Sequence, residues 1–184
     1  DIAGISPDAF EVTDNKSSSS TYSTMVYQWE PEEPRMMKME VKAGDRTMVF
    51  ENEVPNTINV GNLEILETDD PLAWFNSTYG PKTAAEKEQA KKDIDRAAKS
   101  SDKVDEQSAE TLKKMVDRES SQQVDNVGDQ AYWSTAEVSG VESLLLIVLH
   151  NDVVFEVTAD VSKDASEDLA MAIKIAQQII NQCK

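Results

Sequence analysis

The sequence predicts an α+β fold in which a mostly antiparallel sheet is covered by helices. Two patterns lead to this class. Segments in which apolar and polar residues alternate follow one another along the chain, and segments with apolar residues three and four apart come after them. The length of 184 residues suits one compact domain, and a hydrophobic content of 39% is sufficient for a folded core.

The N-terminal segment has the composition of a loose arm. Gly4, Pro7 and the serine run at 17–20 favour turns and solvated backbone over packing. The sequence therefore predicts a flexible N-terminal arm at residues 1–20, followed by a single α+β domain at residues 21–184.

Alternating apolar side chains predict the strands of the first half of the chain. Residues 25–29 and residues 37–41 each place their apolar side chains on one face, as a pleated strand requires. We expect these two strands to be antiparallel neighbours. Further short strands are expected at 46–51 and 57–66, in an order that the pattern does not determine.

Helices are predicted for the middle of the chain, where residues 82–120 carry ten basic and ten acidic side chains. Thr83 and Glu86 have the spacing of a capping box, in which each side chain bonds the other residue's backbone N–H at the start of a helix. A second helix is expected around residues 109–116. Both helices have a narrow apolar stripe, so we expect the pair to lie on the surface with one thin face turned inward.

The strongest pattern lies in the last third of the chain. Residues 131–138, 142–150 and 155–161 predict three consecutive strands, of which the last two are joined by a two-residue loop. From Asp164 onward, apolar residues recur three and four apart. This spacing predicts an amphipathic helix that packs on the sheet.

The charge of the chain argues against several kinds of partner. There are 35 acidic and 18 basic side chains, which gives a net charge of −17. Nucleic-acid binding depends on lysine and arginine, so we expect no nucleic-acid partner. The longest wholly apolar run, at 144–149, is much shorter than the roughly 20 residues of a spanning helix, so no transmembrane segment is expected. We also expect a monomer, because a strong net charge keeps molecules apart.

Residues suited to catalysis or metal binding are scarce. The chain has one histidine, His150, and one cysteine, Cys183, which excludes a zinc site of the Cys/His type and leaves no pairing of nucleophile and base. We interpret His150 as structural, at the end of an apolar strand, and Cys183 as an apolar helix position. Calcium-loop and glycine-rich phosphate motifs are missing from the sequence. We therefore expect no cofactor, no metal, no catalytic residue and no enzymatic activity.

One turn and the strand after it form a candidate binding element. Gly128 and Asp129 suit a tight turn, and Tyr132 and Trp133 then point to opposite faces of the strand. Two interpretations are open. Either these residues form a turn and two packed aromatics, or Trp29, Asp129, Tyr132 and Trp133 contribute to a binding groove.

The same turn and strand, with the apolar hairpin and the alanine-rich helix that follow, resemble a class of small exported bacterial proteins that are often lipoproteins. In that class a Gly-x-Gly-Asp-x-Ala-Tyr/Trp turn precedes the last hairpin and helix, and residues 127–133 here are Val-Gly-Asp-Gln-Ala-Tyr-Trp. The resemblance covers about residues 120–183. It implies a PsbP-like α/β/α sandwich and an extracytoplasmic location, periplasmic or at the cell surface, with a lipid anchor upstream of Asp1 as one means of attachment. It supplies no active-site residues.

These features predict a non-enzymatic exported bacterial domain that binds a protein or a cell-envelope component, with the N-terminal arm as a tether. The start at Asp1 fits either a removed export signal or a truncated sequence, and export is our expectation. One alternative is a small-molecule binding protein or hydrolase with an aromatic and acidic pocket between sheet and helices. Another is a subunit of a larger assembly, which would leave an apolar patch on the sheet uncovered.

Overall fold

The computed structural model describes residues 11–16, 23–43, 46–100, 106–118, 120–138 and 141–182. These residues form nine strands and four helices, which confirms the predicted α+β class with a mostly antiparallel sheet. In chain order the elements are β1 (Glu11–Lys16), β2 (Ser23–Trp29), β3 (Arg35–Ala43), β4 (Arg46–Val54), β5 (Asn56–Ile65), α1 (Pro71–Tyr79), α2 (Ala84–Ser100), α3 (Glu106–Arg118), β6 (Ser121–Gln123), β7 (Gln130–Val138), β8 (Val141–His150), β9 (Val153–Asp160) and α4 (Ala165–Gln182).

Seven of these strands form one sheet in the order β1-β2-β5-β9-β8-β7-β6, and each neighbouring pair is antiparallel. The last three long strands, β7, β8 and β9, follow one another in sequence and in space. Between β8 and β9 the pairing begins at His150 and Val153, which leaves a two-residue loop. The predicted meander is therefore confirmed, and β5 from the first half of the chain pairs with its outer strand β9.

Helix α4 covers one face of the seven-stranded sheet, which we call the α4 face. Ala172, Ile175 and Ala176 of the helix are buried together with Leu146 and Val157 of the two central strands. Apolar residues three and four apart meet the sheet because they lie on one side of a helix. The predicted packing of the terminal helix is confirmed.

Helix α1 covers part of the opposite face, which we call the α1 face. Phe75 is fully buried there with Ile147 and Leu149 of β8. Helix α1 is not predicted by the sequence pattern, because a helix of nine residues is too short to show a clear apolar period. The start of α1 has two features that are typical of a helix N-terminus. The Asp70 side chain accepts a hydrogen bond from the Ala73 N–H at 2.9 Å, and Pro71 occupies the first turn.

Among the described strands, β3 and β4 pair only with each other, as a separate two-stranded sheet that we call the β3–β4 hairpin. The predicted pairing of the strand at 25–29 with that at 37–41 is wrong, because β2 pairs with β1 and β5. The alternation of each strand was sound, but the segment at 31–34 between them, Pro-Glu-Glu-Pro, does not close a hairpin. Proline cannot donate a ladder hydrogen bond, and the chain leaves the sheet there.

Strand β1 lies inside the segment that the composition predicts to be an arm. Residues Glu11–Lys16 pair with β2 and form one edge of the sheet. The strand has six residues, and its single apolar residue, Val12, is exposed. The sequence therefore shows no alternating apolar pattern there. The rest of residues 1–20 lies outside the described ranges.

Helices α2 and α3 pack mainly on each other. The predicted capping box is confirmed, since the Glu86 N–H donates to Thr83 Oγ1 at 3.2 Å and the Thr83 N–H donates to Glu86 Oε2 at 2.7 Å. Lys113 of α3 forms an ion pair with Asp95 of α2 at 2.8 Å. In the described part of the chain, the two helices make only marginal contact with the strands, which fits the predicted surface position.

Candidate functional site

The aromatic residues singled out from the sequence lie on both faces of the sheet. Trp29 and Trp133 are partly buried and pack against the core under α4. Tyr132 is buried on the α1 face. The structure therefore does not bring Tyr132 together with the two tryptophans in one groove.

Tyr132 has a full set of packing and polar partners. Its ring stacks on Phe75 with 5.6 Å between the ring centroids, and its hydroxyl lies 2.8 Å from Asn76 Oδ1, to which it donates. Both contacts are to α1. Tyr132 therefore fixes α1 to the sheet.

Asp129 belongs to a turn that is fastened to the β8–β9 loop. Its N–H donates to the Leu149 carbonyl at 2.8 Å, and its Oδ2 accepts from the Asn151 N–H at 2.5 Å. Gly128 beside it has a φ of 61°, and a Cβ there would lie 2.3 Å from the Leu149 carbonyl oxygen. The turn therefore requires glycine at position 128. The hydrogen bonds of Asp129 hold this turn against the β8–β9 loop.

The described residues contain no group of three histidine, cysteine, aspartate or glutamate side chains placed to hold a metal ion. His150 lies at the end of β8, where its Nδ1 is buried without a hydrogen-bond partner in the described part of the chain. Cys183 lies outside the described residues.

One face of the β3–β4 hairpin is open to solvent and has apolar residues in its middle, with Arg46 and Asn52 exposed on the same face. Met37 is partly buried, and Met48 and Phe50 are 45% and 46% exposed. The register pairs Phe50 with Met39 and Met48 with Val41, so further apolar positions of β3 lie at the same levels of the hairpin. We call Met37, Met48 and Phe50 the hairpin face.

The opposite face of the hairpin is mostly charged. Lys38 and Glu51 are paired in the register and their side chains form an ion pair at 2.9 Å. Met36 and Val49 also lie exposed on this face. The hairpin is thus amphipathic, like an antiparallel sheet that has one face packed against other residues and the other face in solvent.

Arg35 anchors the root of the hairpin to the seven-stranded sheet. Its guanidinium donates to Asn56 Oδ1 at 3.0 Å, to the Asp160 carbonyl at 2.6 Å and to the Asp160 carboxylate. The Arg35 side chain is only 13% exposed. The contacts to Asn56 and Asp160 join residues 21 and 125 positions apart in the sequence, so no local pattern could have revealed them.

A cavity of about 440 Å³ lies beside this anchor. It is lined by residues 31–35, Asn56 and residues 161–163. None of the four aromatic or acidic residues chosen from the sequence lines it. Its walls combine two prolines with the charged side chains of Glu32, Glu33, Arg35 and Lys163.

Two carboxylates, the partly buried Glu156 and the buried Asp168, accept hydrogen bonds within the fold. On the α1 face Glu156 accepts a hydrogen bond from the Asn62 amide, and burial raises the pKa of Glu156 despite that bond. Beneath the cavity wall Asp168 accepts the N–H groups of Val161 and Ser162, each at 2.9 Å, and burial raises its pKa as well. Both carboxylates therefore serve as hydrogen-bond acceptors within the folded structure, and their burial disfavours the charged form.

The β3–β4 hairpin has no net charge, although the chain as a whole is strongly acidic. Residues 35–54 contain four basic and four acidic side chains, while the whole chain has a net charge of −17. The charge excess is therefore carried by the remainder of the molecule. No helix in the described ranges is both long and apolar enough to cross a bilayer.

Comparison with known proteins gives no relative. The chain matches no family model, no curated protein and no solved structure.

Proposed function

We propose that this chain is a non-enzymatic binding domain that contacts a partner protein through the hairpin face. The observation that carries the proposal is the exposure of Phe50 and Met48 on a two-stranded sheet that no other described strand joins. Exposed apolar patches on soluble proteins mark interaction sites, and phenylalanine and methionine are enriched in the centres of interfaces. Methionine side chains also adapt to irregular partner surfaces.

The packing of the rest of the molecule supports this proposal. Among the described residues, neither core cluster includes a member of the β3–β4 hairpin. The two core clusters of the described residues are built around α4 and α1, and the hairpin face does not contribute to either. An apolar face that folding does not use is available for a partner.

We further propose that the protein is bacterial and exported, and that it is monomeric until it binds its partner. The partner is a protein or another component of the cell envelope. Export is supported by the resemblance of residues 127–133 to the turn of small exported bacterial proteins. The monomeric state is supported by the net charge of −17, which repels a second copy.

A photo-crosslinking amino acid tests the proposed surface. Placed at position 50, it is expected to give a discrete crosslinked adduct in cells of the source organism. The same amino acid at Leu63, which is 61% exposed on β5, serves as the control because it samples an apolar position away from the hairpin that is more exposed than Phe50. Adducts of equal yield at both positions, or none at position 50, would contradict the proposal.

A second candidate function is small-molecule binding in the cavity at the hairpin root. Its volume of about 440 Å³ falls within the range of ligand pockets. A thermal-shift screen with sugars, amino acids and dicarboxylates tests this candidate. A rise in melting temperature that is removed by E33Q and K163A together would support it, and the absence of any such compound would leave the hairpin face as the binding surface.

A further inference from the structure

We infer that Met48 is a site of reversible oxidation, and that a sulfoxide at this position prevents binding at the hairpin face. The oxidant is a two-electron oxidant of the peroxide class. The inference rests on the proposed function and adds a modification site that controls the same surface. It comes from the position of the methionines in the fold and from the exposure of their side chains.

Methionine is concentrated in the hairpin. The chain has seven methionines, and residues 35–54 contain four of them, Met36, Met37, Met39 and Met48. Met36 and Met48 are 48% and 45% exposed, and Met37 is partly buried. By contrast, Met171 of α4 is partly buried against the core of the α4 face. Because a thioether is oxidised only where the oxidant reaches its sulfur, Met48 is expected to react before Met171.

The oxidation of Met48 is balanced by the peroxide alone. A lone pair of the sulfur attacks one oxygen of hydrogen peroxide, so that an S–O bond forms and the O–O bond breaks. The leaving hydroxide takes the proton of the transferred oxygen, and the products are a sulfoxide and water. The sulfur is oxidised by two electrons and the peroxide is reduced by two. Methionine sulfoxide reductases reverse the change with the electrons of a dithiol, which becomes a disulfide.

A sulfoxide changes the chemistry of the hairpin face. The thioether of Met48 is apolar and adapts to a partner surface, whereas a sulfoxide oxygen is a polar acceptor that holds water. A partner that packs on Met48 and Phe50 has to remove that water, which is unfavourable when no donor replaces it. We therefore expect oxidation to weaken partner binding by about tenfold.

The fold is expected to tolerate this oxidation. In the described part of the chain, neither core cluster includes a residue of the hairpin, and Met48 is already 45% exposed. The sulfoxide oxygen therefore stays in contact with water in the free protein. The melting temperature should change by less than about 2 °C, so binding is lost while the folded state is kept.

The rate of oxidation at each methionine is the first measurement. Purified protein, with Cys183 alkylated beforehand, is treated with hydrogen peroxide, and sulfoxide formation is followed peptide by peptide by mass spectrometry. Met48 should be oxidised at least about fivefold faster than Met171, and sulfoxide reductases for both epimers should restore it. Equal rates at the two positions, or a sulfoxide at Met48 that the reductases do not remove, would overturn the inference whether or not a partner is found.

The second measurement tests the effect on binding. Purified protein with a photo-crosslinking amino acid at position 50 is treated with peroxide, freed of it, and added to an extract of the source organism. The yield of the crosslinked adduct should fall by about tenfold relative to untreated protein. In M48L most of this fall should disappear, because leucine is apolar and of similar volume but forms no sulfoxide.

Matched variants separate Met48 from other exposed methionines. M25L removes a methionine that is 40% exposed on β2, and M36L removes one that is 48% exposed on the opposite face of the hairpin. Both variants should keep the fall in adduct yield. Each variant is compared with its own untreated sample, so that a change in its basal yield cancels.

The outcomes distinguish this inference from the proposed function. An adduct whose yield survives oxidation would keep the hairpin face as the binding surface and overturn the control by Met48. A fall that persists in M48L, or that is lost in M25L or M36L, would overturn the role of Met48. A fall accompanied by a melting temperature lowered by about 5 °C or more would indicate damage to the fold and would also overturn it. No adduct from the untreated protein would contradict the proposed function and the control of binding together, while the oxidation rates would still decide whether Met48 is the oxidised site.

Discussion

Glu156 and Asp168 carry charges that are unfavourable to the folded state at neutral pH. Burial raises the pKa of each, and hydrogen bonds from Asn62 and from the backbone N–H groups at 161 and 162 offset only part of this effect. A carboxyl group with a higher pKa in the folded state binds its proton more tightly there than in the unfolded chain. Its contribution to stability is therefore greatest at low pH and falls as the pH rises through that pKa.

The variant E156Q tests this account for Glu156. Glutamine keeps an oxygen acceptor for the Asn62 amide but carries no charge, so the variant should be at least as stable as wild type at pH 7. The difference should shrink towards about pH 4, where the native carboxyl group is increasingly protonated. Urea unfolding of both proteins across this range measures it. A variant that is clearly less stable than wild type at pH 7 would mean that the charged hydrogen bond outweighs the cost of burial.

Asp168 offers a second test, because its side chain is an acceptor for two backbone donors. D168A leaves the N–H groups of Val161 and Ser162 without that acceptor, and we expect a loss of roughly 2 kcal/mol or more in the free energy of unfolding. D168N keeps the oxygen and should lose less than about 1 kcal/mol. Chemical denaturation at neutral pH compares them, and equal stability of the two variants would show that the acceptor role is unimportant.

At the scale of single residues, the sequence indicated which residues were unusual but not what they contact. Gly128 and Asp129 were recognised as a turn, and the alternation of β7 correctly separated Tyr132 from Trp133. The partners of these side chains come from α1 and the β8–β9 loop, which local patterns do not specify. The anchor formed by Arg35 and Asp160 was missed for the same reason.

At the scale of elements, the attachment of the hairpin depends on Arg35. In R35A the bonds to Asn56 and Asp160 are lost, so the backbone amides at 35–38 and 51–54 should exchange with deuterium about tenfold faster. R35K keeps the charge but has fewer donors in a different geometry, and should show a smaller change. Hydrogen exchange read by mass spectrometry gives both results. Unchanged exchange at the root in R35A would contradict the anchoring role.

The alternation of apolar residues predicted where strands occur but not which strands pair. It located β2, β3 and β9, while a nearly continuous apolar run located β8, and the three-stranded meander could be assigned because its connections are short. The pairing of β2 with β5 spans the whole β3–β4 hairpin, so the simpler prediction of adjacent neighbours failed. The exposed hairpin face could not be predicted either, because an alternating strand has the same pattern whether its apolar face is covered or open.

At the scale of the whole molecule, the account separates a packed body from an uncovered hairpin. The body contains both core clusters and the excess negative charge, and the hairpin contains a balanced set of charges and an exposed apolar face. We therefore expect the stability of the protein to depend little on the surface proposed to bind its partner.

The measurement that tests this claim most directly is the free energy of unfolding of F50S, compared with F75A, by urea denaturation at low protein concentration. Phe50 is 46% exposed and Phe75 is 0% exposed. We expect F50S to lower the free energy by about 1 kcal/mol or less and F75A to lower it by about 3–5 kcal/mol. A loss of about 2 kcal/mol or more in F50S would show that the Phe50 ring is packed in the free protein, and the hairpin face would then not be available to a partner.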